Sequence, residues 1–292
     1  MTSKKFMIAC LLIAAGFFFT NQALFQTGEF VGILQTTTHP ALDCVRVEFM
    51  DELKRLNPEI KFVVQNAQGS VSNANSIAEL FHAQKKIRAI FAIGTPAVQA
   101  AARAEKQKPI LISAVSDPQS LDLGSNVCGT TDRIDTDQQA SWIAKMAITK
   151  VAILHNPSEA NSQVMVKRMQ RSLKEMNIES FLFNVHSENE IAQTVAAAAQ
   201  KGEAILLPTD NLCASALPLI AKEAKKRLVI ASDITLVDQG AHAAQGVDYG
   251  TLGKITAGQA HQVLSGILPE EIGFADPEEM KTIIKESLCL KN

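Results

Sequence analysis

The run Val31-Gly32-Ile33-Leu34 returns about 120 residues later as Val151-Ala152-Ile153-Leu154. Both are short, apolar and rich in β-branched residues, which favours a buried strand. Each is followed by a turn containing proline, His39-Pro40 in one case and Asn156-Pro157 in the other, and then by a helical pattern. In the first helix, about 41–56, Leu42, Val45, Phe49 and Leu53 recur at helical spacing. The echo extends outward. Ile60 to Val64 matches Ile178 to Phe183, Ala89 to Ile93 matches Ala204 to Leu206, and Pro109 to Ser113 matches Leu228 to Ser232. Helices are expected between these strands, at about 72–85 and 97–104 in the first copy. Single helices between strands imply parallel crossovers, hence an α/β fold. A repeat this long is no solenoid. It predicts two doubly wound parallel-sheet lobes with a cleft between them.

Ligands of open α/β sheets sit beyond the carboxyl ends of the strands. If both lobes turn those ends toward one cleft, one small ligand is held by both, and closure is a hinge motion. The strand-end loops here are small and polar. They are Thr36-Thr37-Thr38-His39, Gly94-Thr95-Pro96, Ser113-Ala114-Val115-Ser116-Asp117, Asn156 to Ser162, Thr209-Asp210-Asn211 and Ser232-Asp233. Helix N-termini and hydroxyls suit a carboxylate. Asp117, Asp210 or Asp233 suits an ammonium, and an amino acid offers both groups. The same residue types are also ordinary helix caps, so the case rests on the set converging. The candidate ligand-binding residues are Thr38, His39, Thr95, Ser116, Asp117, Asn161, Asp210, Asn211 and Asp233; all but His39 and Asp233 are also the positions that a resemblance to a known family implies. Asp210→Ala is expected to abolish binding and leave the fold intact.

Composition excludes several classes. Of 292 residues, 47% are apolar and 20% charged, which a disordered chain would not show. Lys plus Arg is 28 against 30 for Asp plus Glu, too balanced for a nucleic-acid partner. Aromatics are 5%, with Trp142 the one Trp and Tyr249 the one Tyr, too few for base-stacking platforms. An aromatic ligand would therefore have to be held largely by aliphatic and Phe side chains. The chain has no Walker sequence, GxGxxG, HExxH or GxSxG, and its first turn is threonine-rich rather than glycine-rich. No catalytic residue, cofactor or metal is expected. Cys44, Cys128, Cys213 and Cys289 lack short metal-like spacing and read as small buried hydrophobes.

Lys4 and Lys5 precede an uncharged apolar run from Phe6 to Phe19. A basic start and a short apolar core read as an export signal, or as an uncleaved anchor, over residues 1–27. The rest is then extracytoplasmic, touching a membrane only through this segment or a partner.

Several segments together resemble one family. They are His39-Pro40-Ala41-Leu42-Asp43, Gln65 to Gly69, Ile93 to Ala100, Ser113 to Pro118, Asn156 to Ser162, Pro208 to Asn211, and Gly246-Val247-Asp248-Tyr249 with Leu252-Gly253. In this order they resemble type I periplasmic binding proteins. The nearest group is the ABC-transporter substrate-binding proteins that include tryptophan- and tyrosine-binding lipoproteins. The resemblance implies a non-enzymatic receptor that gives a small solute, an aromatic amino acid in characterised relatives, to an ABC transporter permease. It also implies three crossings between the lobes. They fall near 127–131, 239–244 and 266–272, giving lobe 1 as 28–128 plus 243–268 and lobe 2 as 130–241 plus 270–292. Two other functions fit the same architecture: an amino-acid-metabolising enzyme and a ligand-sensing ectodomain.

Overall fold

The structure, a computed structural model, describes residues 30–285. The expected export segment and Cys289 lie outside the described residues. The first half runs β1 (Phe30–Gln35), α1 (Pro40–Leu56), β2 (Lys61–Asn66), α2 (Val71–Ala83), β3 (Ile87–Ile93), α3 (Thr95–Ala104), β4 (Ile110–Ser113) and β5 (Val127–Thr130). Next come α4 (Thr136–Ala144), β6 (Lys150–His155), α5 (Ala160–Glu175), β7 (Glu179–Asn184), α6 (Glu188–Lys201) and β8 (Ala204–Leu207). The chain continues with α7 (Asn211–Ser215), α8 (Leu217–Glu223), β9 (Leu228–Asp233), β10 (Ala243–Val247) and α9 (Tyr249–Leu264). It ends with α10 (Pro269–Ile272), β11 (Phe274–Ala275) and β12 (Lys281–Ile284).

These strands form two six-stranded sheets, ordered β2-β1-β3-β4-β5-β11 and β7-β6-β8-β9-β10-β12. The repeat in sequence is thus a repeat of topology. Every pair is parallel except β10 with β12. In each sheet the order reverses beside the first strand, between β1 and β3 and between β6 and β8. Those are the switch points where such folds bind ligands.

Helices cover both faces of each sheet, so the central strands are nearly continuous apolar runs, as buried parallel strands must be. One face of the first sheet packs α1 and α9, with Phe49 stacked on Phe91 at 3.9 Å between ring centres. The other face packs α2 and α3. Helix α1 starts at Pro40, whose missing N–H costs nothing at a helix start. It ends at Asn57, just before Pro58. Helix α9 lies close on α1 because residue 253 is glycine: a Cβ there would stand 2.6 Å from the Val45 carbonyl.

Two crossings differ from expectation. Strand β10 pairs with β9 and so completes the second sheet. The second crossing therefore falls at Asp248, not at 239–244. Ala243 and Ala244 are buried, and leaving β9 as an edge would strand its backbone groups. The third falls between Ala275 and Lys281, not at 266–272, because Phe274–Ala275 adds to β5 in the first sheet. The first crossing follows Thr130. The crossings are laced together. Thr131 Oγ1 donates to Asp276 Oδ1 at 2.6 Å, Arg133 pairs with Asp276 at 3.2 Å, and Lys281 Nζ pairs with Asp248 at 2.7 Å.

Cys128 and Cys213 are buried and Cys44 is half-buried; all three are free thiols. Among the described residues no helix is long and apolar enough to cross a membrane, and no cluster of His, Cys, Asp and Glu could hold a metal.

Candidate ligand-binding site

The carboxyl ends of both sheets meet, and polar side chains bridge the line between them. His39 Nε2 lies 3.3 Å from Asn211 Oδ1, and Ser116 Oγ lies 3.3 Å from Thr209 Oγ1. Ser215 Oγ donates to the Thr38 carbonyl at 3.4 Å, and Arg168 Nη2 donates to Asp117 Oδ2 at 3.4 Å. Behind this seam lies a void of about 20 Å³. It has room for about one water molecule and cannot hold an amino acid unless the sheets part. In front of it a pocket of about 580 Å³ opens outward between the Thr36–Thr38 turn and the Glu159 loop.

Five of the nine sequence candidates line the void: His39, Asn161, Asp210, Asn211 and Asp233. They come from the ends of β1, β6, β8 and β9. The other four do not line it. Thr38 is exposed at the mouth, where its Oγ1 accepts from Asn66 Nδ2 at 2.9 Å. Thr95 is buried at the start of α3 with no partner for its hydroxyl. Ser116 donates to Asp132 Oδ1 at 2.7 Å, one shell behind the void. Asp117 sits at the rim in its ion pair with Arg168.

Asp210 also has a structural job. Its Oδ1 accepts from Cys213 N at 2.9 Å and so caps α7. Its Oδ2 accepts from Asn156 N at 2.6 Å and Ser162 Oγ at 2.7 Å. A carboxylate with three local donors holds this loop together while lining the void. Asp210→Ala is therefore expected to lower stability by roughly 2–4 kcal/mol, since it orphans buried donors and removes a cap. Urea unfolding of the unliganded variant measures this, and an unchanged midpoint overturns the structural role.

Three residues absent from the candidate set complete the site. Asp132, buried just past the first crossing, accepts from Ser116 Oγ and from Tyr249 Oη at 2.9 Å. Asp132 and Tyr249 both line the void. The signal for Asp132 was its place beside an expected crossing. Glu159 accepts from Asn211 N at 3.1 Å, Asn211 Nδ2 at 2.5 Å, Leu212 N at 3.2 Å and Asn156 Nδ2 at 3.3 Å. It thereby occupies the N-terminus of α7, and no pattern of spacing announces that.

The electrostatics are one-sided. No Lys or Arg is among the described residues lining the void. Desolvation pushes Asp233 up to about 6, opposed by the N–H and hydroxyl of Thr235 and reinforced by Asp132. Asp132 is raised for the same reason, against the hydroxyls of Ser116 and Tyr249. Burial lowers His39 to about 4, so its ring is neutral at ordinary pH. Burial and the nearby Asp210 raise Glu159 to about 7, against its own donors. Asp233 Oδ1 takes both Thr235 donors, at 2.8 and 2.7 Å. His39 Nδ1 and Asn161 Oδ1 are buried without a partner. The apolar wall is Leu42, Ala114, Pro208, Ala214, Leu236 and the Tyr249 ring. No Phe is among the described lining residues. Trp142 packs against the second sheet's core instead.

Two like sheets that meet across a polar, acidic cleft have the type I periplasmic binding protein fold. The chain belongs to the ABC transporter substrate binding protein family, whose profile matches residues 30–292. It is 32% identical over 271 residues to the tyrosine-binding protein of Clostridioides difficile (strain R20291), covering 88% of this chain and 78% of that protein. It is similar to the structure of an ABC domain in complex with L-Trp from Streptococcus pneumonia. That match has a TM-score of 0.85 and 27% identity, over 90% of this chain and 94% of that one. The ligand-free, open structure of CD0873, a substrate-binding protein with adhesive properties from Clostridium difficile, matches with a TM-score of 0.67. There the identity is 33%, over 89% of this chain and 93% of that one. The family is one of substrate-binding proteins, not of enzymes.

Proposed function

We propose that this chain binds an aromatic amino acid between its two sheets and presents it to an ABC importer's permease outside the cytoplasm. The observation that carries the reading is the void itself. Buried Asp132 and Asp233, with no Lys or Arg among the described residues that line the void, call for a ligand that brings an ammonium, and the aliphatic part of the same lining suits an apolar side chain. The named ligands of the two relatives, tyrosine and L-Trp, have that chemistry.

The two closing bodies are 30–130 with 249–275, and 131–247 with 281–285, hinged at the laced crossings. The lower TM-score with the open relative, despite its higher identity, supports a closed arrangement here. The ligand-binding residues of this reading are Asp233, Asp132, Asn161, His39 and Tyr249. Asn211 and Glu159 support them, and Thr38 and Asp117 lie at the entrance. Residues 1–27 deliver the chain across the membrane as a signal or anchor.

Mass spectrometry of solute released from the purified protein tests the ligand directly. A thermal-shift series should show stabilisation by L-tyrosine or L-tryptophan, worth about 2.7 kcal/mol at a hundredfold excess over Kd. No shift with any aromatic amino acid, and none released, overturns the proposal.

A further inference from the structure

Asn211 joins two side chains from opposite sheets, and its amide can satisfy them in only one orientation. Its Nδ2 donates to Glu159 Oε2 at 2.5 Å. An ionised carboxylate only accepts, so the amide nitrogen must face Glu159. The amide oxygen then faces His39 Nε2 at 3.3 Å. An amide oxygen also only accepts, so Nε2 must carry the ring proton. A neutral imidazole has one proton, which leaves His39 Nδ1 as a bare acceptor. That atom is buried and without a protein partner, on a ring that lines the void.

Asn161 reaches the same condition from the other sheet. Its Nδ2 donates to the Thr209 carbonyl at 2.8 Å, so the unpartnered Oδ1 is an acceptor. His39 Nδ1 and Asn161 Oδ1 thus add two neutral acceptors to a void already lined by the carboxylates of Asp132 and Asp233.

We infer that Glu159, acting through Asn211, is a positioning residue: it fixes the tautomer of His39 so that Nδ1 accepts from the ligand's ammonium. This rests on the amino-acid reading of the cleft. Asp43 on the same helix and Asp210 on the other sheet also face His39, but neither bonds to its ring. With Gln at 159, the new amide can donate to Asn211 Oδ1 and turn that amide over. Asn211 Nδ2 would then face Nε2, the ring proton would move to Nδ1, and a donor would point where the ammonium needs an acceptor. In that arrangement the Gln oxygen keeps the bond from Leu212 N, and the backbone N–H of Asn211 gives up its acceptor.

The test uses the full chain at pH 8, where Glu159 is ionised. Long-range 1H–15N spectra of the unliganded wild type should show His39 neutral with its proton on Nε2. In Glu159→Gln a large fraction should move to Nδ1. Asn211→Ala, which breaks the link but leaves Glu159 on the helix N-terminus, should release the same preference. Affinity for L-tyrosine and L-tryptophan should fall about tenfold in Glu159→Gln, the worth of one hydrogen bond to a charged group. Affinity for their desamino analogues, 3-(4-hydroxyphenyl)propanoate and indole-3-propanoate, should not change. An Nε2 proton that stays in place in both variants overturns the inference, as does equal loss for amino acids and desamino analogues. If the wild type binds neither amino acid, the functional proposal falls, and the spectra alone still decide whether Glu159 sets the ring.

Discussion

Asp233→Asn should raise the Kd for an aromatic amino acid at least a hundredfold, about 3 kcal/mol, while the unliganded protein keeps its stability. Asp233 is buried at the end of β9, and its Oδ1 is held by Thr235 N and Oγ1. Asn keeps that oxygen and those bonds. It removes the charge that a buried ammonium needs, and losing one partner of a desolvated pair costs several kcal/mol. The free protein should be at least as stable as the wild type, because burying the ionised carboxylate is what raises its pKa. Calorimetric titration measures the first effect and urea unfolding the second. An affinity within threefold of wild type removes Asp233 from the site.

The pH profile of the wild type should agree. The free carboxylate titrates at about 6, and only its ionised form pairs with the ammonium. Affinity should therefore be nearly flat above about pH 8 and begin to fall through about 7, where Glu159 also gains its proton. Below about 6 it should fall toward tenfold per pH unit, while His39 stays neutral down to about 4.

Gly129→Ala should destabilise the protein by at least about 4 kcal/mol, in the range reserved for backbone conflict. Gly129 sits in β5 at a φ of +148, and a Cβ there would lie 2.1 Å from the Ile112 carbonyl and 2.5 Å from its nitrogen. Neither atom can move without breaking the pairing of β4 with β5. The damage would spread. Gly129 N donates to the Gly273 carbonyl at 3.1 Å, and Gln259 Nε2 donates to the Gly129 carbonyl at 3.2 Å. Those bonds hold β11 and α9 to the first sheet. A urea midpoint near the wild-type value would show that β5 can shift at little cost.

Much of this architecture was legible in the sequence, because its strongest signals are periodic. Buried parallel strands read as apolar runs, and the second copy of Val31 to Leu34 at Val151 to Leu154 confirmed the frame of the first. Elements without periodicity were lost. Strand β11 has two half-buried residues and β12 has four exposed ones. Both owe their existence to pairing with distant strands, which no local pattern records. That is why the third crossing was displaced; the second moved because β10 joins β9 in the second sheet.

The site divides in the same way. His39, Asn161, Asp210, Asn211 and Asp233 stand at the carboxyl ends of strands or within about six residues beyond them, so topology brings them to the void. Thr95, Ser116 and Asp117 also follow strands, but their side chains turn to local partners, to the rim or into the core. Asp132 and Glu159 depend on burial and on bonds to residues 117 and 52 positions away. Asp210 shows the limit most clearly. An Asp at a strand end is read as a ligand group or as a cap, and only its three donors show that it is a cap.

The late return of the chain to the first sheet governs the order in which the molecule can be built. Helix α9 supplies much of one face of the first core, and β11 closes that sheet's edge. Both come after the entire second lobe except β12, which in turn closes the other edge. A growing chain that has reached Val247 has therefore finished neither half. A nascent chain cannot fold its first lobe and then its second. Both must wait for residues 249–284, so neither sheet is complete until the chain has made both returns.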